Sequence, residues 1–415
     1  MLNLQWSTSV AGPFSHLRVI DLSRILAAPL AAQNLADLGA EVIKVEKPGK
    51  GDDTRVFGPP WMKDQEGRET RESAYFLAGN RNKKSITVDI AKPRGQAIVR
   101  ELVARSDILV ENYKVGNLAR FGLGYEDLKA VNPSLIYCSV TGFGQDGPYA
   151  ARPGYDFVFQ GMGGMMSITG ERDGEPGAGP QKVGVPIVDY LTGLYASIAL
   201  CAAIAHRERT GEGQYIDCAL LDTAVAANVT QAISYFCAGE PPGRLGNAHP
   251  QVVPYEVFPT LDGHMILAVA NDGQFRRFCQ VIERPALASD PRFATNSDRV
   301  VHRKELLPIL RQVLAGRTKS EWLAALEAAD VACGPINNFQ EVFDDPQVRH
   351  RGLRVDVPHA LGEAPLVANP MRLSATPVEY RHGPPLLGEH NREVLGELLG
   401  MSEPQIEELR AAAVI

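Results

Sequence analysis

LRVIDLSRILAAPLAAQNLADLGAEVIKVE, residues 17–46, decides the fold. Its opening "LRVIDL" is a short apolar run of the kind that suits a buried strand. Pro29 then starts a helical pattern that ends at Gly39, with proline near the start of a helix and glycine past its end. "EVIKVE" (41–46) supplies the next strand. Strand, helix and strand in this order make a βαβ unit. Further along, "SITVDI" (85–90), the helical "RGQAIVRELVARS", "DILVEN" (107–112) and "SLIYCSV" (134–140) repeat the alternation. This predicts an α/β fold with a mostly parallel sheet and helices on both faces. The first βα turn, "DLSRILAAPL", has no G-x-G-x-x-G, which disfavours a nicotinamide dinucleotide. From about 186 to 235 the pattern is helical, and 238–263 is rich in glycine and proline. "GHMILAVA" then reads as a strand, and "GQFRRFCQVI" and "RKELLPILRQVL" as helices, so about 225–330 is expected to be a smaller α+β domain.

A chain of 415 residues has room for two domains. Its net charge of -7 argues against nucleic acid or an anionic membrane as the main partner, since both demand a basic face. The six cysteines, Cys138, Cys201, Cys218, Cys237, Cys279 and Cys333, form no C-x-x-C pair and read as reduced core residues. The nine histidines show no metal-binding spacing, so no metal is expected. Residues 1–16 lack the features of a signal or transit peptide. The apolar run around 187–205 is interrupted by Asp189 and Thr192 and reads as too broken to span a bilayer. A cytoplasmic protein without a membrane partner is expected.

Four stretches join glycine, asparagine and basic residues near strand ends, where open α/β sheets place ligands. They are "VEKPGKGDDTR" (45–55), "GNRNKKSI" (79–86), "ENYKVGNLARFG" (111–122) and "TGFGQDGPYAARPGYDFVFQGMGGMMSITG" (141–170). Lys47, Lys50, Arg55, Arg81, Lys83, Lys84, Lys114 and Arg120 offer the charge that a phosphorylated ligand needs. Each of them taken singly has an ordinary alternative as surface charge. Asp156 stands between Tyr155 and Phe157, just ahead of Gly161, Gly163 and Gly164. It has two readings, a helix cap or a nucleophile with backbone amides beside it. Asp189 and Asp222 precede apolar helical runs and carry the capping reading, and Asp272 reads as a turn residue.

With these residues in view the chain resembles the class III CoA-transferase family. The motifs that carry the resemblance run in one order along nearly the whole chain: "LRVIDLSRILAAP", "LGAEVIKVEKPGKGDDTR", "NRNKKSI", "ENYKVGNL", "GLGYEDL", "IYCSVTGFGQDGP", "GYD", "YEVFPTLDGHMILAVA", "GPINN" and "PPLLGEH". "GDDTR", "NRNKKSI" and "GPINN" are most similar to the succinyl-CoA-dependent dicarboxylate transferases of that family.

The resemblance implies that Asp156, in "GYD", attacks an acyl-CoA thioester and then carries CoA as an aspartyl thioester. It implies coenzyme A as the carried group, an acyl-CoA and a small, dicarboxylic acid as partners, and no redox cofactor. It places Leu26, Ala27, Lys47, Arg55, Asn80, Arg81, Asn112, Tyr113 and Arg120 at the CoA. It offers Arg244, Gly246 and His249 for the acid's far end. It also implies a Rossmann-like large domain over 1–224, a small domain over 225–330, a C-terminal return over 331–415, and an interlocked, ring-like homodimer. Two other functions stay open. A 2-methylacyl-CoA racemase of the family carries histidine where this chain has Tyr155, a poor base at neutral pH. A non-catalytic acyl-CoA-binding protein has no use for an intact Asp156.

Overall fold

The computed structural model describes residues 11–415, so most of the leader expectation for residues 1–16 lies outside the described residues. Six parallel strands form the central sheet: β1 (Arg18–Asp21), β2 (Glu41–Glu46), β3 (Lys83–Thr87), β4 (Ile108–Glu111), β5 (Ile136–Thr141) and β6 (Tyr215–Ala219). Their order across the sheet is β3-β2-β1-β4-β5-β6, that of the doubly wound dinucleotide-binding fold. Strand β6 escaped the sequence reading, which ran a helical region through it. "YIDCA" is an edge strand with an exposed Asp217, so it shows no continuous apolar run.

Helices cover both faces of the sheet. On one face, helix α1 (Ala27–Asp37) packs its Ala28, Ala31 and Leu35 into a core shared with Ala196, Leu200 and Ala203 of a long helix, Ile187–Thr210. The two helices meet closely at Gly193, where an added Cβ would lie 2.7 Å from the Ala27 carbonyl oxygen. On the other face Ile98, Val99 and Leu102 pack with Leu395, Ile406 and Ile415, so the chain's last segment completes this core. The long helix corrects one expectation. Its 24 residues are long and apolar enough to cross a membrane by length and composition. Asp189 and Thr192 do not break it, because both fall in its first two turns and Thr192 Oγ1 donates to the Val188 carbonyl at 2.7 Å.

The chain divides into two compact units. The large one holds the residues through Met165, Val183–Ile233 and Arg349–Ile415, and the small one holds Met166–Lys182 and Ser234–Val348. The expected boundaries at 225 and 330 therefore shift. The large unit runs on to Ile233, past 224, and Met166–Lys182 falls in the small one. At the other end Ala332–Pro335 adds an antiparallel strand beside Gly263–Ala268, which also pairs with Tyr255–Thr260. The small unit has its own core, built on Phe258, Met265, Phe275, Phe278 and Trp322.

Candidate active site

The turn between β1 and α1 has no regular structure, yet side chains from three other segments satisfy its backbone. Asp21 accepts from Ser23 N at 2.9 Å, and Lys44 Nζ donates to the Ser23 carbonyl at 2.8 Å. Asn112 accepts from Arg24 N at 2.9 Å and donates to the Arg24 carbonyl at 2.7 Å. Asp52 Oδ1 accepts from Ile25 N at 3.2 Å. Ile25 has φ of 71°, a left-handed conformation that a β-branched residue holds only when its surroundings impose it. Beneath the turn lies a fully buried set of charges. Lys83 Nζ meets Asp21 at 2.8 Å, and Lys44 Nζ meets Asp52 at 2.9 Å. Burial pushes the Asp52 carboxyl up, but Lys44 and the Thr54 donors outweigh it and hold it at about 2. Burial also lowers the Lys83 ammonium to about 8, against the pull of Asp21.

Two adjoining cavities open at this turn. One, of roughly 200 Å³, is lined by Leu26, Ala27, Asn112, Thr141, Tyr155 and Asp189 among others. It sits beyond the carboxyl ends of β1, β4 and β5, where the strand order reverses and open α/β sheets bind ligands. The second, of roughly 260 Å³, includes Lys47, Lys50 and Phe121. Arg24, Asp53 and Tyr113 line both.

Asp156 starts a short helix, α2 (Asp156–Met162). Phe159 anchors that helix in the core, and its ring leaves no room for a side chain at Gly154, where a Cβ would come within 2.1 Å. The Asp156 carboxylate reaches the first turn of the long helix, α3 (Ile187–Thr210). Oδ1 accepts from Val188 N at 2.7 Å and from Asp189 N at 3.2 Å. Oδ2 accepts from Gln160 Nε2 at 2.6 Å, one turn along its own helix. Gln160 is buried, and its Oε1 accepts from Val183 N at 2.8 Å, which fixes which way the amide faces. Asp156 thus caps a helix, but another helix than its own, and has backbone amides beside it. Gly161, Gly163 and Gly164 supply none of these amides, since Gly163 packs on Ala224 and Gly164 turns the chain at φ 91°.

Beside it, Asp189 lines the cavity, and burial together with the nearby Asp156 charge raises its carboxyl to about 7. Tyr75 faces the same pair, and burial plus the two carboxylates push its phenol up to about 12. Among the described residues no lysine or arginine forms an ion pair with Asp156 or Asp189, and no cluster of His, Cys, Asp and Glu is arranged to hold a metal ion.

The other expected residues separate into groups. Leu26, Ala27, Asn112, Tyr113 and Lys47 line the cavities. Arg55, Asn80 and Arg81 line neither of these two cavities. Arg55 makes a two-pronged bond to Glu46 at 2.7 Å. Arg81 is buried against Asp37 at 2.6 Å, and Asn80 bonds the Phe76 carbonyl and Lys83. Arg120 is exposed on a single 3-10 turn and lines neither cavity. Arg244, Gly246 and His249 belong to the small unit. There Arg244 pairs with Asp173, and Gly246 N donates to the Gly170 carbonyl. His249 Nδ1 accepts from Gln251 N at 3.0 Å. Sequence reasoning missed Gln160, whose only signal was its spacing of four from Asp156. It also missed Val188, which acts through its backbone and leaves no signal.

A model of CoA-transferase family III matches residues 14–391 of the chain. A succinate–glutarate CoA-transferase of Agrobacterium fabrum is 51% identical over 387 residues, covering 93% of this chain and 96% of that protein. A succinyl-CoA:glutarate CoA-transferase of Homo sapiens is 42% identical over 404 residues, covering 97% and 90%. A solved CAIB/BAIF family protein from Brucella suis has a TM-score of 0.83 and 46% identity, covering 94% of this chain and all of that one. With the reversal-point cavity, the unpaired aspartate and a match along almost the full length, the chain belongs to CoA-transferase family III.

Proposed function

We propose that this enzyme moves CoA from succinyl-CoA to a dicarboxylic acid, glutarate foremost, by way of a CoA thioester on Asp156. The observation that carries the reading is the state of Asp156. Its carboxylate is held by two amide N–H groups and one side-chain amide, with no cation to quench it, beside a cavity at the strand ends. Such a group is fixed in direction and still nucleophilic. The smaller cavity receives the acyl end, while Lys47 and Lys50 in the adjoining one suit the phosphates of CoA. The relatives' names motivate the choice of succinyl and glutaryl groups.

The enzyme is further proposed to act as a homodimer. Helices α2, α3 and Leu220–Ala226 pack together and turn Phe157, Tyr190, Tyr195, Ile198 and Val225 outward. An apolar face of that kind marks an interface, and a second copy is its occupant.

The test is direct. With succinyl-CoA and glutarate the protein should form glutaryl-CoA and free succinate. Mass spectrometry after succinyl-CoA alone should find CoA linked to the peptide that contains Asp156. Unmodified Asp156 during active transfer would defeat the covalent route. Solvent deuterium appearing at Cα of a 2-methylacyl-CoA, with no transfer, would favour the racemase instead.

A further inference from the structure

We propose that the first turn of α3 is an oxyanion site for the carbonyl of Asp156 itself, made by the amides of Val188 and Asp189, and that Oδ2 is the attacking oxygen. This rests on the reading of Asp156 as the covalent carrier. The two oxygens of the carboxylate are not equivalent. Oδ1 takes two backbone N–H groups, at 2.7 and 3.2 Å, and Oδ2 takes only the Gln160 amide, at 2.6 Å. The first amides of a helix have no partner inside it and carry the positive end of its dipole. Here that helix has 24 residues. An oxygen with two donors is the weaker nucleophile and the better-prepared site for negative charge.

The bonds can be followed step by step. Oδ2 attacks the thioester carbonyl of the donor, the C–S bond breaks, and CoA leaves as thiolate. This gives a mixed anhydride, and the negative charge of this first addition sits on the substrate's oxygen. The thiolate then adds to Cγ of Asp156. Charge now develops on Oδ1, in front of Val188 N and Asp189 N. The Cγ–Oδ2 bond breaks, and the donor acid departs as a carboxylate that contains Oδ2. Asp156 is left as a CoA thioester whose carbonyl oxygen is Oδ1. The acceptor carboxylate next attacks Cγ, again placing the charge on Oδ1, and expels the thiolate. The thiolate takes the acceptor's acyl group and returns Asp156 as a carboxylate with one oxygen from the acceptor. The two amides therefore serve the steps at Cγ and not the opening attack on the substrate.

That division yields a test a general disturbance would not pass. Val188→Pro deletes one of the two donors in the helix's first turn, where no intrahelical bond is lost. Two rates are read with succinyl-CoA: CoA transferred to glutarate, and free CoA released by hydrolysis of the anhydride. Transfer should fall about 100-fold. Hydrolysis should hold or rise, because the anhydride still forms and then waits. Should the proline variant not fold, an ester in place of the Ile187–Val188 peptide bond removes the same N–H and keeps the side chain, and is read in the same way. Transfer within a few-fold of the unmodified enzyme overturns the proposal. So does an equal fall in transfer and hydrolysis. If the unmodified enzyme transfers CoA but never carries it on Asp156, the underlying reading fails instead, and that result is separately visible.

Discussion

Asp156 and Asp37 are both aspartates in the large unit with several hydrogen-bond donors, and they do opposite things. Asp37 is fully buried. It is gripped by the Arg81 guanidinium at 2.6 Å and by the side-chain amides of Asn82 and Asn369, both at 2.9 Å. Asp21 and Asp52 follow the same pattern with Lys83 and Lys44. Asp156 has amides alone. A full opposite charge neutralises a carboxylate and makes it a fastener. Neutral donors orient it and leave the charge available. The difference in partner, more than the difference in burial, separates the carboxylates that hold this protein together from the one proposed to react.

The contrast is broken most sharply by exchanging the two roles. Asp156→Asn keeps shape and removes the nucleophile, so transfer should drop by at least about 10,000-fold. The denaturant midpoint should not fall. Steady-state rates and unfolding curves on one preparation check both, with deamidation excluded by mass. Asp37→Ala should behave in reverse. It strands the buried Arg81 guanidinium and should remove roughly 3–5 kcal/mol of stability. Turnover per folded molecule should stay near normal. A stable Asp37→Ala, or an Asp156→Asn that unfolds readily, would erase the distinction.

The sequence showed the alternation that sets the sheet, because buried parallel strands are continuous apolar runs and their helices carry clear starts and stops. It also singled out Asp156 through its motif. It did not foresee the partners of Arg55, Asn80 and Arg81, for a physical reason. A basic residue written next to glycine and asparagine reads as a ligand contact, and only the fold reveals Glu46 or Asp37 waiting for it. The edge strand β6 and the capping amides of α3 were illegible for other reasons, the first being partly polar and the second being backbone. Ile25 is a further case. Nothing in "SRILAA" announces a left-handed residue, since the conformation is imposed by Asp52, distant in sequence.

Gln160 sharpens the comparison at a smaller scale. Its donor to Oδ2 is charge-assisted, and such a bond is worth about 1.5–3 kcal/mol. Gln160→Leu should therefore lower kcat by about 10- to 100-fold. KM for succinyl-CoA should change little, because Gln160 touches Asp156 and lines neither cavity. A rise in KM with kcat preserved would place Gln160 in ligand binding instead.

The smallest expected effect is the most specific to the site. Asp189 shares the first turn of α3 with the amides that hold Asp156, and burial followed by the Asp156 charge raises its carboxyl to about 7. Below pH 7 it is neutral. As pH rises through 7 it ionises and puts a second negative charge beside Asp156, where the incoming acid and the developing oxyanion are also negative. The Tyr75 phenol, pushed up to about 12, stays neutral in that range. Transfer should therefore fall several-fold between pH 6 and pH 8, mainly through KM for the acid. Asp189→Asn should flatten that limb. Stability gives a second readout. The folded group holds its proton up to about 7 and the unfolded group releases it near 4, so the protein loses stability as pH rises between those values. Asp189→Asn should accordingly stabilise the protein at pH 8, by roughly 1–2 kcal/mol after allowance for its partial exposure, and do little at pH 4. An alkaline limb that survives in Asp189→Asn would show that another group titrates, and that the pair of aspartates is not electrostatically joined.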